Sequence, residues 1–283
     1  MSPVAAMSFV QAIVLSAMQG ATELFPFSSL GLQVIVPRLL HWHIAQSGAQ
    51  FLPFVVSLHV GTAIGLIVLF FREWWALAAA GWRSVRSGWR EVGSDPEQKT
   101  LWLLVAATIP AGLAGLLLRH ALARLFAAPE VAAAFLIVNG LGMALGDRLL
   151  RPRPEGIAQM RFGQAVGIGL SQALALIPGI SRSGATMVTG LAAGLGYETA
   201  ARFSFLMATP IILAAGVLEL HKLHGGAHGL AAQAAIGFAV AAVVAYLSAR
   251  YLLHYFRTRR LLPFALISSS AGVVFLVLLR LHA

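Results

Sequence analysis

The sequence predicts an all-α polytopic membrane protein, with six transmembrane helices and two re-entrant helix pairs in inverted-topology repeats. Of its 283 residues 59% are hydrophobic and only 11% are charged, whereas soluble domains carry about 25% charged residues. The apolar residues form runs of about 17–20 residues, long enough to cross a hydrocarbon core of about 30 Å. Two of the apolar regions are interrupted by similar breaks rich in proline, serine and glycine, which is typical of inverted repeats.

Ten apolar segments follow one another along the chain, at 4–19, 24–40, 52–71, 101–118, 130–146, 163–178, 184–196, 203–220, 230–249 and 262–279. Segments 4–19, 24–40 and 184–196 are short or interrupted, and a short segment beside a Pro/Gly break is more typical of half a re-entrant pair than of a full span. We therefore expect re-entrant pairs at 4–40 and 163–196 and spans at the other six segments. Residues 1–283 would form a single membrane domain, with repeat one at about 1–146 and repeat two at about 163–283.

The basic residues predict the orientation of these segments. The connections at 72–100, 147–162 and 250–261 hold 13 of the 20 Lys and Arg residues. Because cytoplasmic connections carry an excess of Lys and Arg, we expect both termini and the entrance of the first re-entrant pair on the outer side, and the second pair to enter from the cytoplasm. Topology therefore explains the net charge of +10 without a nucleic acid partner. Anionic lipids or an anionic substrate are second reasons for it.

The two breaks resemble each other in sequence. Residues 19–31 read QGATELFPFSSLG, and residues 172–184 read QALALIPGISRSG. Each contains a glutamine, then a proline, then a serine cluster and a glycine, which supports a repeat. The alternative is that two unrelated loops use similar turn residues.

The first break carries a carboxylate within an apolar segment. Gln19 and Glu23 are four residues apart and share one face of a helix, Pro26 ends that helix, and Ser28 and Ser29 follow. An ionisable residue inside a membrane segment is costly and indicates function. The alternative is that Glu23 is neutral or is hydrogen-bonded to a neighbouring helix.

The second break has the composition of a phosphate site. Arg182 offers a planar fork of donors to phosphate oxygens, and a helix N-terminus beside it favours anions. Hydroxyl groups and flexible backbone surround this arginine at Ser181, Ser183, Thr186, Gly179 and Gly184. The alternative is a structural pairing of Arg182 with Glu23. If the breaks meet, their cavity suits either transport of an amphipathic anion or phosphoryl chemistry on it, and these residues alone do not choose between the two.

Two further features carry weaker predictions. His59 lies in an apolar span, where a hydrogen-bonded core role is more common than catalysis, but its position before Gly61 and Thr62 keeps it as a candidate. Tryptophans interleave with arginines in the connection after the third segment, which predicts an interfacial anchor; they are Trp74, Trp75, Trp82 and Trp89 with Arg72, Arg83, Arg86 and Arg90.

The motifs ELFPFSSLG at 23–31, PGISRSGAT at 178–186 and FSFL at 203–206 resemble those of the bacterial undecaprenyl diphosphate phosphatase family, the type that confers bacitracin resistance. The resemblance covers nearly the whole chain. It implies a multi-pass protein of the bacterial inner (cytoplasmic) membrane with six spans, two re-entrant pairs and a site facing outward. A polyprenyl diphosphate lipid would be the substrate, and a homodimer is kept as a candidate assembly.

The resemblance also implies an activity, namely hydrolysis of the terminal phosphate of undecaprenyl diphosphate to give the monophosphate carrier of cell-wall precursors. In that activity Glu23 is the motif carboxylate, Ser29 the nucleophile and Arg182 the phosphate clamp. A divalent cation, Mg²⁺ or Ca²⁺, would be held near Glu23. The residues expected to contact the substrate are Gln19, Ser28, Ser181, Ser183, Gly184 and Thr186, and Ser28 is the alternative nucleophile.

Two positions depart from the family pattern. Gln19 stands where most members have glutamate, and Leu32 stands where members usually have a histidine that acts as acid or base. Leucine moves no proton, so Glu23 or His59 must substitute if hydrolysis occurs. Leu32→His should raise hydrolysis if the missing base limits the rate. A lipid-phosphate transporter or flippase that performs no hydrolysis on the same scaffold is the alternative function, whereas an ion channel or small-solute transporter leaves the Ser-Arg-Ser motif without a role.

Overall fold

The computed structural model describes residues 7–40, 42, 51–125, 128–151, 156–220 and 230–281. Within these ranges the regular structure is helical, as predicted. A single turn of 3₁₀ helix at Ile157–Gln159 precedes α7. The α-helices in chain order are α1 Phe9–Thr22, α2 Ser29–Leu39, α3 Phe51–Leu69, α4 Phe71–Arg86, α5 Pro96–Leu125, α6 Pro129–Leu149, α7 Phe162–Leu174, α8 Arg182–Ala192, α9 Tyr197–Leu220, α10 Ala231–Tyr255 and α11 Leu262–Leu281.

Five described helices are long and apolar enough to cross a membrane, and a sixth span results if the bent pair α3–α4 is counted as one. The five stretches are Pro96–Leu118, Pro129–Leu149, Tyr197–Val217, Ala231–Tyr255 and Leu262–Leu281. They coincide with five of the six predicted spans. The remaining predicted span, 52–71, corresponds to α3, and the chain then turns by 84° into α4. The polytopic all-α class is therefore confirmed, and part of the connection predicted at 72–100 is a helix.

Each predicted re-entrant region consists of two short helices. α1 and α2 have 14 and 11 residues, and α7 and α8 have 13 and 11. At about 1.5 Å per residue these helices are about 16–21 Å long, shorter than the hydrocarbon core of about 30 Å. The broken character of 4–40 and 163–196 thus agrees with the sequence, while the re-entrant path and its inverted orientation stay predictions.

The first short helix of each pair packs against a span from the opposite half of the chain. α1 lies on α10 and α7 lies on α5, while α3 faces α9 and α6 faces α11. Small residues permit these close approaches. A Cβ added to Gly20 of α1 would lie 2.6 Å from the carbonyl oxygen of Ala241, and one added to Gly169 of α7 would lie 2.2 Å from that of Ala107. The two halves therefore interlock through α1 and α7.

Candidate active site

The two breaks meet at the start of α2 and α8. The hydroxyl oxygen of Ser28 accepts hydrogen bonds from the backbone N–H groups of Gly31 (3.1 Å) and Gly179 (3.0 Å). Gly179 has φ +99°, a conformation open mainly to glycine, and a Cβ there would lie 2.2 Å from the carbonyl oxygen of Ala132. A Cβ on Gly31 would lie 3.1 Å from the nitrogen of Gly179. The contact between the breaks therefore depends on the absence of side chains at both glycines.

Glu23 is the centre of the site. Its Oε1 accepts a hydrogen bond from Nη2 of Arg182 (2.8 Å), and its Oε2 accepts from Oγ of Ser29 (2.6 Å) and Nε2 of Gln19 (2.9 Å). Nε2 of His59 lies 3.6 Å from the same Oε2. The side chains of Glu23 and Arg182 are only 7% and 14% exposed. The structure thus brings together the three residues predicted to be catalytic.

Arg182 forms the structural pair with Glu23 and still has donors free. Its Nη1 is buried and makes no hydrogen bond within the described part of the chain. A buried N–H without a partner costs about 1–3 kcal/mol, so this atom is a ready donor for a ligand oxygen. Arg182 is also the first residue of α8, and Ser29 is the first residue of α2. The positive ends of two helices therefore converge where an anion would sit.

His59 has the hydrogen bond expected of a core histidine and also reaches the carboxylate. Its Nδ1 lies 2.9 Å from the carbonyl oxygen of Val55, one turn earlier in α3. A carbonyl oxygen only accepts, so Nδ1 carries a hydrogen. Nε2, the second ring nitrogen, therefore faces Glu23. The hydrogen-bonded core interpretation of His59 is therefore confirmed, and its catalytic role stays a prediction that the 3.6 Å approach to Glu23 permits.

The other residues of the second break are held by protein contacts. Oγ of Ser181 caps α8 by accepting from the N–H of Gly184 (3.2 Å). Oγ of Ser183 donates to the carbonyl of Phe25 in the first break (2.9 Å). The hydroxyl of Thr186 lies 2.7 Å from that of a serine in α9. These contacts fix the backbone around Arg182, and direct substrate contacts by the three hydroxyls and Gly184 stay predictions.

The two departures from the family pattern occupy different surroundings. Gln19 is fully buried, and its Oε1 accepts a hydrogen bond from Nε2 of Gln33, which directs the amide nitrogen of Gln19 to Glu23. Leu32 is partly exposed and lies one helical turn after Ser29 on the same face of α2. The glutamine is thus an integral hydrogen-bonding partner of the carboxylate, whereas the leucine contributes only apolar surface to that face.

Asn139 lies at the candidate site and was not predicted from the sequence. Its Nδ2 donates to the carbonyl of Pro26 (3.2 Å) and to Oγ of Ser268 (3.1 Å), and its Oδ1 accepts from the N–H of Ser181 (3.0 Å). The side-chain amide of Asn139, on α6, is therefore hydrogen-bonded to both breaks and to α11. A buried asparagine inside an apolar span is itself a signal of function, and it was available in the sequence.

A divalent cation near Glu23 stays a prediction. Among the described residues no group of three or more His, Cys, Asp or Glu side chains could hold a metal by itself. Glu23 contributes one carboxylate to the centre of the site. Mg²⁺ is commonly bound through one or two carboxylates, with substrate phosphate oxygens and water completing its shell. A cation near Glu23 would therefore depend on the diphosphate for its other ligands.

Residues 12–274 match the family model described as Bacitracin resistance protein BacA. The chain belongs to this family. Among its relatives, the undecaprenyl-diphosphatase of Acidiphilium cryptum is 49% identical over 96% of this chain and 98% of the relative. Undecaprenyl-diphosphatase 2 of Chromobacterium violaceum is 45% identical over 95% and 98%. The undecaprenyl-diphosphatase of Mycolicibacterium paratuberculosis is 44% identical over 98% and 99%.

Membership of the BacA family confirms the resemblance carried by the two break motifs. Together with the apolar helices it makes this chain an integral membrane protein. These relatives bear the name of a hydrolase. A flippase that performs no hydrolysis is therefore not favoured for the BacA family scaffold seen here.

Proposed function

We propose that this protein hydrolyses undecaprenyl diphosphate, or a related polyprenyl diphosphate, to the monophosphate lipid carrier and inorganic phosphate. The observation that carries the proposal is the meeting of Ser29 and Arg182 at the carboxylate of Glu23, beside the N-termini of two helices. The name of the curated relatives supports the same activity. The product would return the carrier to cell-wall precursor synthesis.

Arg182 binds the terminal phosphate in this proposal. Its Nη2 remains on Glu23, and its unpartnered Nη1 donates to a phosphate oxygen. The positive ends of α2 and α8 add attraction for the same group. Because the guanidinium is already oriented by its ion pair, little side-chain entropy is lost when the phosphate binds.

Ser29 is the nucleophile. Its Oγ–H already donates to Oε2 of Glu23 at 2.6 Å, so the carboxylate can take the proton as the oxygen attacks the terminal phosphorus in line. The bond from that phosphorus to the bridging oxygen breaks, and the lipid monophosphate leaves. Water then attacks the phosphoserine, a proton returns to Oγ of Ser29, and inorganic phosphate is released. Ser28 is unsuited to this role because its hydroxyl oxygen accepts two backbone hydrogen bonds.

His59 is the second group, after Glu23, that can carry a proton during the reaction. Its Nε2 lies 3.6 Å from Oε2 of Glu23, so the ring can exchange a proton with the carboxylate or with a water beside it. This placement supplies a ring nitrogen close to the carboxylate that accepts the Ser29 proton, although Leu32 provides none on α2. The site therefore does not depend on a histidine at position 32.

We expect His59→Gln to lower kcat by about 100-fold, within the range of general acid–base contributions, with a small change in KM. Leu32→His alone should leave kcat nearly unchanged, because His59 already provides the acid–base group. In the double variant His59→Gln/Leu32→His, a partial recovery of kcat is expected, since residue 32 shares a helix face with Ser29. A rise in kcat for Leu32→His in the presence of His59 would contradict this assignment.

A divalent cation shared between Glu23 and the diphosphate would offset the charge of the phosphate groups. The basic connections and the positive-inside rule support an outward orientation, with the reaction at the outer face of the bacterial cytoplasmic membrane. A homodimer stays an untested prediction.

Phosphate release from undecaprenyl diphosphate by the purified protein tests the proposal. We expect release in Mg²⁺ or Ca²⁺ and its loss in excess EDTA, with recovery when the cation is restored. Arg182→Ala is the control for contaminating phosphatases. Release no faster than in that control would refute the activity, and full release in EDTA would refute the cation while leaving the activity in place.

A further inference from the structure

One face of α4 packs against protein and another is apolar and exposed. Leu77, Ala80 and Ser84 are buried, and Oγ of Ser84 accepts a hydrogen bond from Nε1 of Trp102 in α5 (3.1 Å). The exposed side chains recur at helical spacing on the other side; they are Phe71, Trp75, Trp82 and Val85, each between 59% and 72% exposed. We call these four residues the apolar stripe of α4. No described part of the chain covers it.

The bend before α4 gives the stripe a membrane orientation. α4 leaves the apolar helix α3 at 84°, so a membrane-crossing α3 places α4 nearly in the plane of the membrane surface. Tryptophan is enriched at the boundary between lipid and water. An amphipathic helix in that plane buries its apolar side about 5–10 Å into the boundary between headgroups and acyl chains.

The turn that ends α4 extends the stripe. Gly88 and Trp89 have φ of +61° and +69°, and the N–H of Trp89 donates to the carbonyl of Ser84 (2.9 Å), closing the helix as in a Schellman motif. The ring of Trp89 lies 4.5 Å from that of Trp102, centroid to centroid, and the residue remains 53% exposed. The left-handed backbone thus holds a further exposed tryptophan beyond the last helical turn.

Unpaired arginines accompany the stripe. Arg72, Arg86 and Arg90 are exposed, and none of them makes an ion pair within the described residues. Arg83 differs, because its Nη2 lies 3.1 Å from a carboxylate oxygen of Asp95 and 2.7 Å from one of Glu97. Among the described residues, three positive charges beside the stripe therefore have no neutralising partner, and the fourth is already neutralised.

We propose that α4 and the turn at 87–90 bind anionic phospholipids of the cytoplasmic leaflet. The stripe inserts between acyl chains, and Arg72, Arg86 and Arg90 bind the headgroup phosphates, which match the guanidinium fork. The cytoplasmic side follows from the basic connections. Attraction of each basic side chain to an anionic surface changes association by about fivefold. The acyl chains of a zwitterionic lipid would also bury the stripe, but its headgroup would be attracted only weakly to these arginines.

Quenching of tryptophan fluorescence by brominated lipids tests this site in the intact protein. The protein is reconstituted in nanodiscs of phosphatidylglycerol and phosphatidylcholine, with bromine on the acyl chains of one lipid or the other. We expect wild-type protein to prefer phosphatidylglycerol by about fivefold or more. The preference should decline when salt is raised to about 1 M, where the Debye length is about 3 Å.

The triple variant Arg72→Gln/Arg86→Gln/Arg90→Gln should bring the preference close to one while keeping every tryptophan reporter. Arg83→Gln is the matched control and should retain the wild-type preference, because the charge of Arg83 is already met by two carboxylates. Phosphate release by the triple variant should equal that of wild type, which shows that the variant is folded. Equal loss of preference in Arg83→Gln would overturn the proposal, and so would a wild-type preference that is absent at low salt or unaffected by salt.

Discussion

Arg182→Ala is expected to lower kcat/KM by about 10³-fold or more, the scale on which arginines act in phosphoryl transfer. The substitution removes both the donor to Glu23 and the free Nη1 donor. The kcat/KM of Arg182→Lys should lie between those of wild type and Arg182→Ala, because a lysine keeps the charge and loses the planar fork. Initial rates over a range of lipid concentrations, measured in one detergent, give the comparison.

Stability must be separated from catalysis in this experiment. Removing one partner of a buried ion pair costs about 3–5 kcal/mol, because the other charge is left uncompensated. Arg182→Ala/Glu23→Gln relieves that charge, so thermal stability should recover in the double variant while activity stays lost. Recovery of activity along with stability would contradict both the phosphate-binding role of Arg182 and the role of Glu23 as base.

Ser29→Ala is expected to abolish hydrolysis, with a loss of at least about 10⁴-fold in kcat, comparable to the removal of a nucleophile in other enzymes. Ser28→Ala should behave differently. Its hydroxyl accepts from Gly31 and Gly179, so its loss should lower stability by about 1–2 kcal/mol, as for other helix caps. Its kcat should stay within about tenfold of wild type, because the proposed attack does not use this hydroxyl.

Mass spectrometry of acid-quenched protein gives a second readout for the two serines. A phosphoryl group formed during turnover is expected on Ser29 and is expected to be absent from the Ser29→Ala variant. A modified Ser28, or a Ser28→Ala variant without activity but with wild-type stability, would assign the nucleophile to the other serine.

The helical architecture could be predicted because its signals are local. Five predicted spans coincide with observed helices, and the two breaks separate short helices at the expected places. Apolar length and Pro/Gly interruption depend on neighbouring residues alone. The exception is α4, where apolar and basic residues alternate. This pattern at 72–100 predicted an interfacial anchor. It did not predict that the chain turns by 84° after α3.

The site could be predicted only in part. Glu23 was identified as a costly charge within a membrane segment, and Arg182 as a phosphate-binding fork beside a helix N-terminus. The role of His59 remained ambiguous because it depends on the contact with Glu23, which lies outside α3. Asn139 was missed, although it bonds both breaks, because hydropathy alone gives no partner for an isolated amide.

The sequence by itself determined that this is a polytopic helical membrane protein, and it predicted a phosphate site at Arg182, since span length and side-chain chemistry are properties of the residues themselves. Only the tertiary structure decided that Arg182 meets Glu23, 159 residues away in the chain. It also decided which serine hydroxyl donates to the carboxylate and that His59 reaches the same oxygen. The meeting of the two breaks depends on the close approach of Gly31 to Gly179, which no local pattern encodes.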